Sequence, residues 1–210
     1  MDDRAKDQRD GIEPNGSPQR RVRADARRNS EALLQAALAV FTTSGVDAPV
    51  REIAEKAGVG VGTIYRHFPQ RSDLIAAVFR HEIDACAQAA YSLADEYEPF
   101  EALAKWMQRY AGLIATKRGL ATAMHSGNPA YESLPTYFKQ QMRPAFRALF
   151  GSAVAAGAVR SDIDADDILT AVSSLCMTAE RDRPDHVQRM VRLFIDGLRY
   201  GAKPVVDKAA

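Results

Sequence analysis

The 210-residue sequence has only two cysteines, Cys86 and Cys176, far apart and outside any CxxC pairing. That scarcity argues against a disulfide framework or a thiolate metal site and suggests a reducing, cytoplasmic setting. No apolar run approaches the roughly 20 residues needed to span a bilayer. The hydrophilic first residues lack the apolar segment of a secretory signal. Strand-like alternation is missing too. The four histidines, at 67, 81, 125 and 186, are scattered, with no HExxH or comparable ligand spacing. No serine or cysteine stands in a nucleophile motif. An enzyme, a bound metal and a resident cofactor are therefore not expected.

What is present is an ordinary globular composition, 46% apolar and 26% charged, with a net charge of +1. The charge is unevenly placed: residues 20–80 carry ten basic and six acidic side chains, beginning with Arg20, Arg21, Arg23, Arg27 and Arg28. Elsewhere the two signs nearly cancel. A local basic excess is compatible with a polyanionic partner and equally with a solvated surface.

Residues 1–20 are polar and rich in Asp, Arg, Gly and Pro, which predicts a disordered arm. From residue 24 to about 202 apolar residues recur at helical spacing, so an all-α fold is expected. Leu34, Ala37, Leu38 and Phe41 stripe a first helix that stops near Gly45. Val50, Ile53, Ala54 and Ala57 stripe a second, and Ile64, Tyr65 and Phe68 a third that Pro69 ends. A linking helix is expected over 71–84, carrying Leu74, Ile75, Val78, Phe79 and Ile83. The larger helical domain follows over 85–202, with helices at Phe100–Thr116, Pro135–Ala156, after Asp164, and Pro184–Tyr200.

The informative stretch is residues 50–68, VREIAEKAGVGVGTIYRHF, which reads as two short helices around a tight AGVG turn. Ile53, Ala54, Val59, Ile64 and Phe68 are spaced to pack inward. Val61, Gly62, Thr63, Arg66 and the edge of Tyr65 are left facing outward. A second helix presenting its first residues outward fits a DNA major groove about 12 Å wide. Thr63 and Arg66 can reach base edges, Tyr65 can meet a phosphate or a thymine methyl, and His67 and Arg71 are placed for phosphates.

At these residues the chain resembles the TetR family of bacterial regulators. The likeness runs over residues 28–79: a first helix ending in Phe41, Gly45, then IAEKAGV and GTIYRHF, with Arg71 and Leu74 beyond. It implies a three-helix helix-turn-helix domain over 24–70 whose third helix reads DNA. A fourth helix would link this head to a ligand-binding, dimerising domain. Carried over by position, Arg51, Thr63, Tyr65 and Arg66 would lie nearest the bases, with His67, Arg71 and Arg28 on phosphates. Three positions depart from the family pattern: Pro49 replaces a common Thr, Gly60 an often-seen Ser, and Arg71 the usual Lys. Beyond residue 80, FPQRSDLIAAVFRHEIDA, ALAKWMQRYAGLIATKRGL and AAGAVRSDIDADDIL are similar to the subgroup with an SbtR-like C-terminal domain.

Three rival readings fare worse. GVGVGT at 58–63 imitates a dinucleotide loop, but its spacing is GxGxG and a helix, not a strand, precedes it. The Asp164, Asp166, Asp167 cluster lacks the glycine and terminal Glu of a calcium loop and is better explained as helix capping. A constitutive DNA-binding protein would need a filled C-terminal core. Against that, residues 106–146 are rich in Met and aromatic side chains able to line a cavity. Trp106, Tyr110, Met124, His125, Tyr137 and Met142, with Cys176, are the candidates to contact an unidentified small-molecule effector.

A single short recognition helix reads too few bases for tight specificity, so a homodimer on a near-palindromic operator is expected, with repression the expected output. In the last helix Val187, Val191, Phe194 and Leu198, widened by Met190 and Ile195, cover more than one stripe. With Ile168, Val172 and Leu175 of the preceding helix, and its small residues Ala171, Ser174 and Ala179, they are the expected dimer contact.

Overall fold

The computed structural model describes residues 18–119, 127–178 and 184–200. Met124, His125, Ala179 and most of the expected N-terminal arm lie outside these residues. All regular structure in the described residues is helical: α1 Pro18–Ser44, α2 Val50–Ala57, α3 Val61–His67, α4 Arg71–Glu96, α5 Pro99–Gly119, α6 Leu134–Ala155, α7 Ala165–Thr178 and α8 Pro184–Tyr200. A single 3₁₀ turn, Pro129–Tyr131, precedes α6. The fold is therefore all-α, a small three-helix head followed by a larger helical domain.

In the head, Leu33, Ala37, Val40 and Phe41 of α1 close over Ile53 and Ala54 of α2 and Ile64 of α3. Glycines punctuate this unit where the chain must turn. Gly58 lies in the left-handed region at φ +67°, where any side chain would be strained. Its N–H meets the Glu55 carbonyl at 3.3 Å, and the Val59 N–H meets that of Ala54 at 3.0 Å, which satisfies the end of α2 and turns the chain sharply into α3.

Two expected boundaries shift. α1 begins at Pro18, inside the segment expected to be an arm. The linking helix does not stop at residue 84 but continues to Glu96, because 85–96 holds no Pro or Gly and buries Cys86, Ala87 and Ala90. At its other end α4 is held by a capping box, with the Gln70 N–H donating to the Asp73 carboxylate at 3.0 Å. This one helix thus runs from the head into the larger domain, where it packs on α5 and α6.

α5 is the centre of the larger domain, touching α6, α7 and α8 as well as α4. Its Trp106 is fully enclosed, and its indole N–H donates to the Cys86 carbonyl of α4 at 2.9 Å. Trp106 stacks on Tyr110 at 5.3 Å between ring centroids and leans on Phe146 of α6 at 5.7 Å. Asp164 caps α7 as expected, its Oδ1 accepting from the Asp166 N–H at 2.7 Å.

Candidate nucleic-acid interface and effector cleft

α3 meets its own chain through Ile64, 1% exposed, and turns the opposite face outward. Val61, Gly62, Tyr65, Arg66 and His67 are exposed and Thr63 is half-buried. Val61 and Tyr65 are large side chains left 37% and 50% exposed. Arg66 folds back along α3, its Nε donating to the Gly62 carbonyl at 3.3 Å. Arg51 pairs with Glu55 at 2.9 Å, an exposed contact easily exchanged for another anion. The exposed His67 ring tilts toward Phe68, with 6.2 Å between centroids. Arg28 is exposed on α1.

Gly62 differs from Gly45 and Gly58, the head glycines that turn the chain. Its backbone has no positive φ, and a Cβ built there would meet nothing within 4 Å. Neither the turn nor the core of this chain requires a glycine at this position.

Arg71, expected on a phosphate, is engaged within its own chain here. Its Nε donates to the Val46 carbonyl at 2.6 Å, and its Nη2 donates to the carbonyls of Val46 and Ala48. Its guanidinium also lies 5.8 Å from the centroid of the Phe41 ring. The side chain is half-buried. In this structure it fastens the first turn of α4 to the α1–α2 connection, so the head and the linking helix are coupled through it.

A second site lies in the larger domain. A cleft of about 420 Å³ opens between α6 and α7, with α5 beneath it. Tyr110, Met142 and Leu169 form a floor that is nearly inaccessible, and Phe138 adds an aromatic wall against Tyr110 at 6.0 Å between centroids. Two helical stripes make the sides: Pro135, Phe138, Lys139, Met142 and Arg143 on α6, and Asp166, Thr170, Ser173, Ser174 and Met177 on α7. The Tyr110 hydroxyl and Ser173 Oγ share a hydrogen bond of 2.7 Å, and burial pushes the Tyr110 phenol up to about 12. It therefore stays protonated and uncharged at neutral pH.

Of the residues expected to contact an effector, Tyr110 and Met142 line this cleft, and Met124 and His125 lie outside the described residues. Three expectations are corrected. Trp106 is sealed in the core, because its indole N–H already has a carbonyl partner. Cys176 is buried at 1% exposure and absent from the lining. Tyr137 turns toward α4, its hydroxyl donating to Asp84 Oδ1 at 2.5 Å. Sequence reasoning missed the polar stripe of α7. The available signal was its spacing at i, i+4, i+7, i+8 and i+11, which puts Asp166 through Met177 on one face.

The faces of α7 and α8 are also sorted differently from expectation. Val187, Val191, Ile195 and Leu198 are buried inside their own domain, as are Ile168 and Val172. Side chains closed in by their own protomer have no surface left for a second copy, which removes Ile168, Val172, Val187, Val191 and Leu198 from the expected dimer contact. Phe194 and Leu175 remain half-buried. Beside Phe194 lie Met190, half-buried, and Leu193, which at 64% exposure is the most accessible of the large apolar side chains in the described residues. Met190, Leu193, Phe194 and Gly197 follow i, i+3, i+4, i+7 along one side of α8.

Comparison with known proteins agrees with this geometry. Residues 33–78 match the family model for bacterial regulatory proteins of the tetR family, and residues 98–200 match that of the SbtR-like transcriptional regulator C-terminal domain. A TetR transcriptional regulator of Streptomyces coelicolor is 36% identical and superposes with a TM-score of 0.73, covering 82% of this chain and 99% of that one. A TetR transcription regulatory protein of Mycobacterium vanbaalenii is 32% identical at a TM-score of 0.65, covering 85% and 99% of the two chains. An HTH-type transcriptional regulator of Staphylococcus aureus is 26% identical over 133 residues, 62% of this chain and 72% of that protein.

Proposed function

The chain belongs to the TetR family of helix-turn-helix transcriptional regulators, and on that premise we propose that it is a repressor that grips a near-palindromic operator as a homodimer and lets go when a small molecule fills the α6–α7 cleft. The observation that carries the reading is α3, a short helix anchored by Ile64 that offers Val61, Gly62, Thr63, Tyr65 and Arg66 together on one open face. Thr63, Tyr65 and Arg66 are the base-reading set, with Arg51 beside them. Arg28 and His67 supply phosphate contacts, and Gly62 lets the DNA backbone come close.

Two heads are needed for specificity, since one helix of this length reaches only a few base pairs. The second copy covers Met190, Leu193 and Phe194 of α8 together with Ala171 and Leu175 of α7. Coupling between cleft and head runs through α6, which faces both ways. One side lines the cleft. The other is tied to α4 by Tyr137 on Asp84 and by Ser133 Oγ, which accepts from Arg80 Nη2 at 2.7 Å. A ligand that displaces α6 therefore pulls on α4, and Arg71 carries that movement into the head. Operator affinity falls once the two α3 helices depart from a separation of about 34–36 Å, one helical turn.

Fluorescence anisotropy with labelled DNA from upstream of its own gene, against random DNA of equal length, tests the reading. The expected result is at least a hundredfold preference with a steep salt dependence. Equal affinity for the two DNAs at every salt concentration would overturn it.

A further inference from the structure

We infer that the α6–α7 cleft selects a largely apolar small molecule carrying a single carboxylate, which Lys139 and Arg143 receive. The inference rests on the effector reading above and adds the chemistry of the ligand. A volume of about 420 Å³ falls in the range of small-molecule sites. Tyr110, Met142 and Leu169 make a floor nearly closed to solvent, and Phe138 stands beside it, so the body of the ligand is apolar. The Tyr110 hydroxyl is already shared with Ser173 and brings no charge to the floor.

The charge of the lining sets the head group. Lys139 and Arg143 stand one turn apart on α6, at i and i+4, and both are exposed side chains of the cleft wall. Lys139 has no ion-pair partner among the described residues. Arg143 reaches Asp166 only through Nε at 3.4 Å, beyond good hydrogen-bond length, and the two terminal nitrogens of its fork have no partner there. Asp166 is the one acid in the lining, and it is already engaged. Its Oδ2 also accepts from Arg147 at 3.0 Å, and its Oδ1 is enclosed within the protein. Asp166 therefore steadies the arginines and leaves the positive charge of Lys139 unmatched. The α7 hydroxyls face away from this task, Thr170 donating to the Asp166 backbone carbonyl at 2.8 Å and Ser174 to that of Thr170 at 2.9 Å.

Other head groups fit this wall less well. A ligand ammonium meets two cations and no open carboxylate. A neutral group displaces water from Lys139 and Arg143 without replacing the interaction lost. A carboxylate suits both: its two oxygens match the planar fork of Arg143, and the Lys139 ammonium adds a second contact. The apolar floor keeps water from one side and so strengthens both contacts. Two lining cations against one engaged acid leave room for one negative charge, which favours a monoanion.

Isothermal titration calorimetry with three probes on one frame tests this: biphenyl-4-carboxylate, biphenyl-4-carboxamide and biphenyl-4-methylammonium. The carboxylate should bind about tenfold tighter than either of the others, by a margin that narrows as salt rises. Lys139→Gln changes an exposed side chain and should weaken carboxylate binding by about threefold or more, with the carboxamide unchanged. Adding Arg143→Gln should erase the preference. Lys105→Gln, on α5 and outside the lining, should change nothing, and an equal loss there would overturn the inference. If the double variant fails to fold by circular dichroism, Lys139→Gln alone decides. An amide or ammonium that binds as tightly as the carboxylate would also overturn it. So would a preference that survives the double variant, or no binding of any probe up to its solubility limit. Release of labelled operator is measured in parallel. Carboxylate binding without release would support the ligand chemistry and remove the effector reading. Release by the carboxamide or ammonium alone would keep that reading and overturn the ligand chemistry.

Discussion

Gly62 occupies the second residue of α3, in a helical conformation open to solvent, with no atom of its own chain within 4 Å of where a Cβ would stand. Replacing it by alanine adds one methyl group that this chain can accommodate without strain. Glycine is less favourable than alanine in a helix by about 0.8–1.0 kcal/mol, and Gly62→Ala should recover about half of that near a helix end. For a chain of this length the gain raises Tm by roughly 1–2 °C. The variant should therefore be slightly more stable and yet bind operator worse. A methyl forced into a closely packed contact costs on the order of 1–3 kcal/mol, which at each of two half-sites weakens operator binding by about 30-fold or more. Gly151→Ala is the matched control. It is an exposed glycine in the interior of α6 that also meets nothing within 4 Å, so it should gain stability and leave operator binding untouched. Thermal melts and operator anisotropy on both variants decide the matter. If Gly62→Ala bound operator like the wild type, α3 would not approach DNA through its first turn, and the proposed docking would be wrong.

Other residues separate the roles assigned above. Arg66→Ala should lose about 1–3 kcal/mol per half-site on operator and relax preference at one or two base positions. Equal losses on random DNA would count against base reading. Arg71→Ala removes donors from the Val46 and Ala48 carbonyls, so stability should drop by about 1–3 kcal/mol. Its binding should weaken on all sequences with an unchanged salt slope, whereas a slope shallower by about 1.8, about 0.9 for each head of the dimer, would return Arg71 to a phosphate. Leu193→Glu alters a side chain 64% exposed in the protomer, so the folded monomer should persist, but burying the new carboxylate in a dimer costs several kcal/mol. Sedimentation should show dissociation, and a variant dimer as tight as the wild type would place the second copy elsewhere. Burial raises the Cys86 thiol to about 12 from an ordinary value of 9.0, so the folded state holds this proton longer than the unfolded chain does. The corresponding stability is intact below pH 9 and is lost as pH rises toward 12. Denaturant titrations between pH 8 and 11 should show a shallower alkaline decline for Cys86→Ala.

The head was legible because its sequence is punctuated by residues with one physical meaning each. Gly45 and Gly58 can take positive φ, Pro69 cannot continue a helix, and Ile53, Ala54 and Ile64 have only one interior to enter. The larger domain offered weaker signals. The tail of α4 buries Cys86, Ala87 and Ala90, small residues that do not stand out as an apolar stripe, so the helix read twelve residues short. On α8 the sequence revealed a face too wide for one contact, but width carries no sign. Val187 and Val191 turned inward while Leu193 stayed in solvent, and only the direction in which α5 approaches distinguishes them.

The cleft was misjudged for a related reason. Aromatic and methionine side chains are adaptable enough to line a cavity, yet the same size lets them fill a core, and which they do depends on whether their polar atoms are already satisfied. The indole of Trp106 has its carbonyl and is structural, while Tyr110, one turn along the same face, is bonded to a serine on the cleft wall and is both floor and lining. Asp166 was read correctly as part of a helix start, and a residue given one role is easily denied a second. Its two oxygens are unequal: one answers two arginines and the other answers nothing in the described residues. That inequality arises from the packing of α7 against α6, a relation between residues 19 and 23 positions apart that no local pattern encodes.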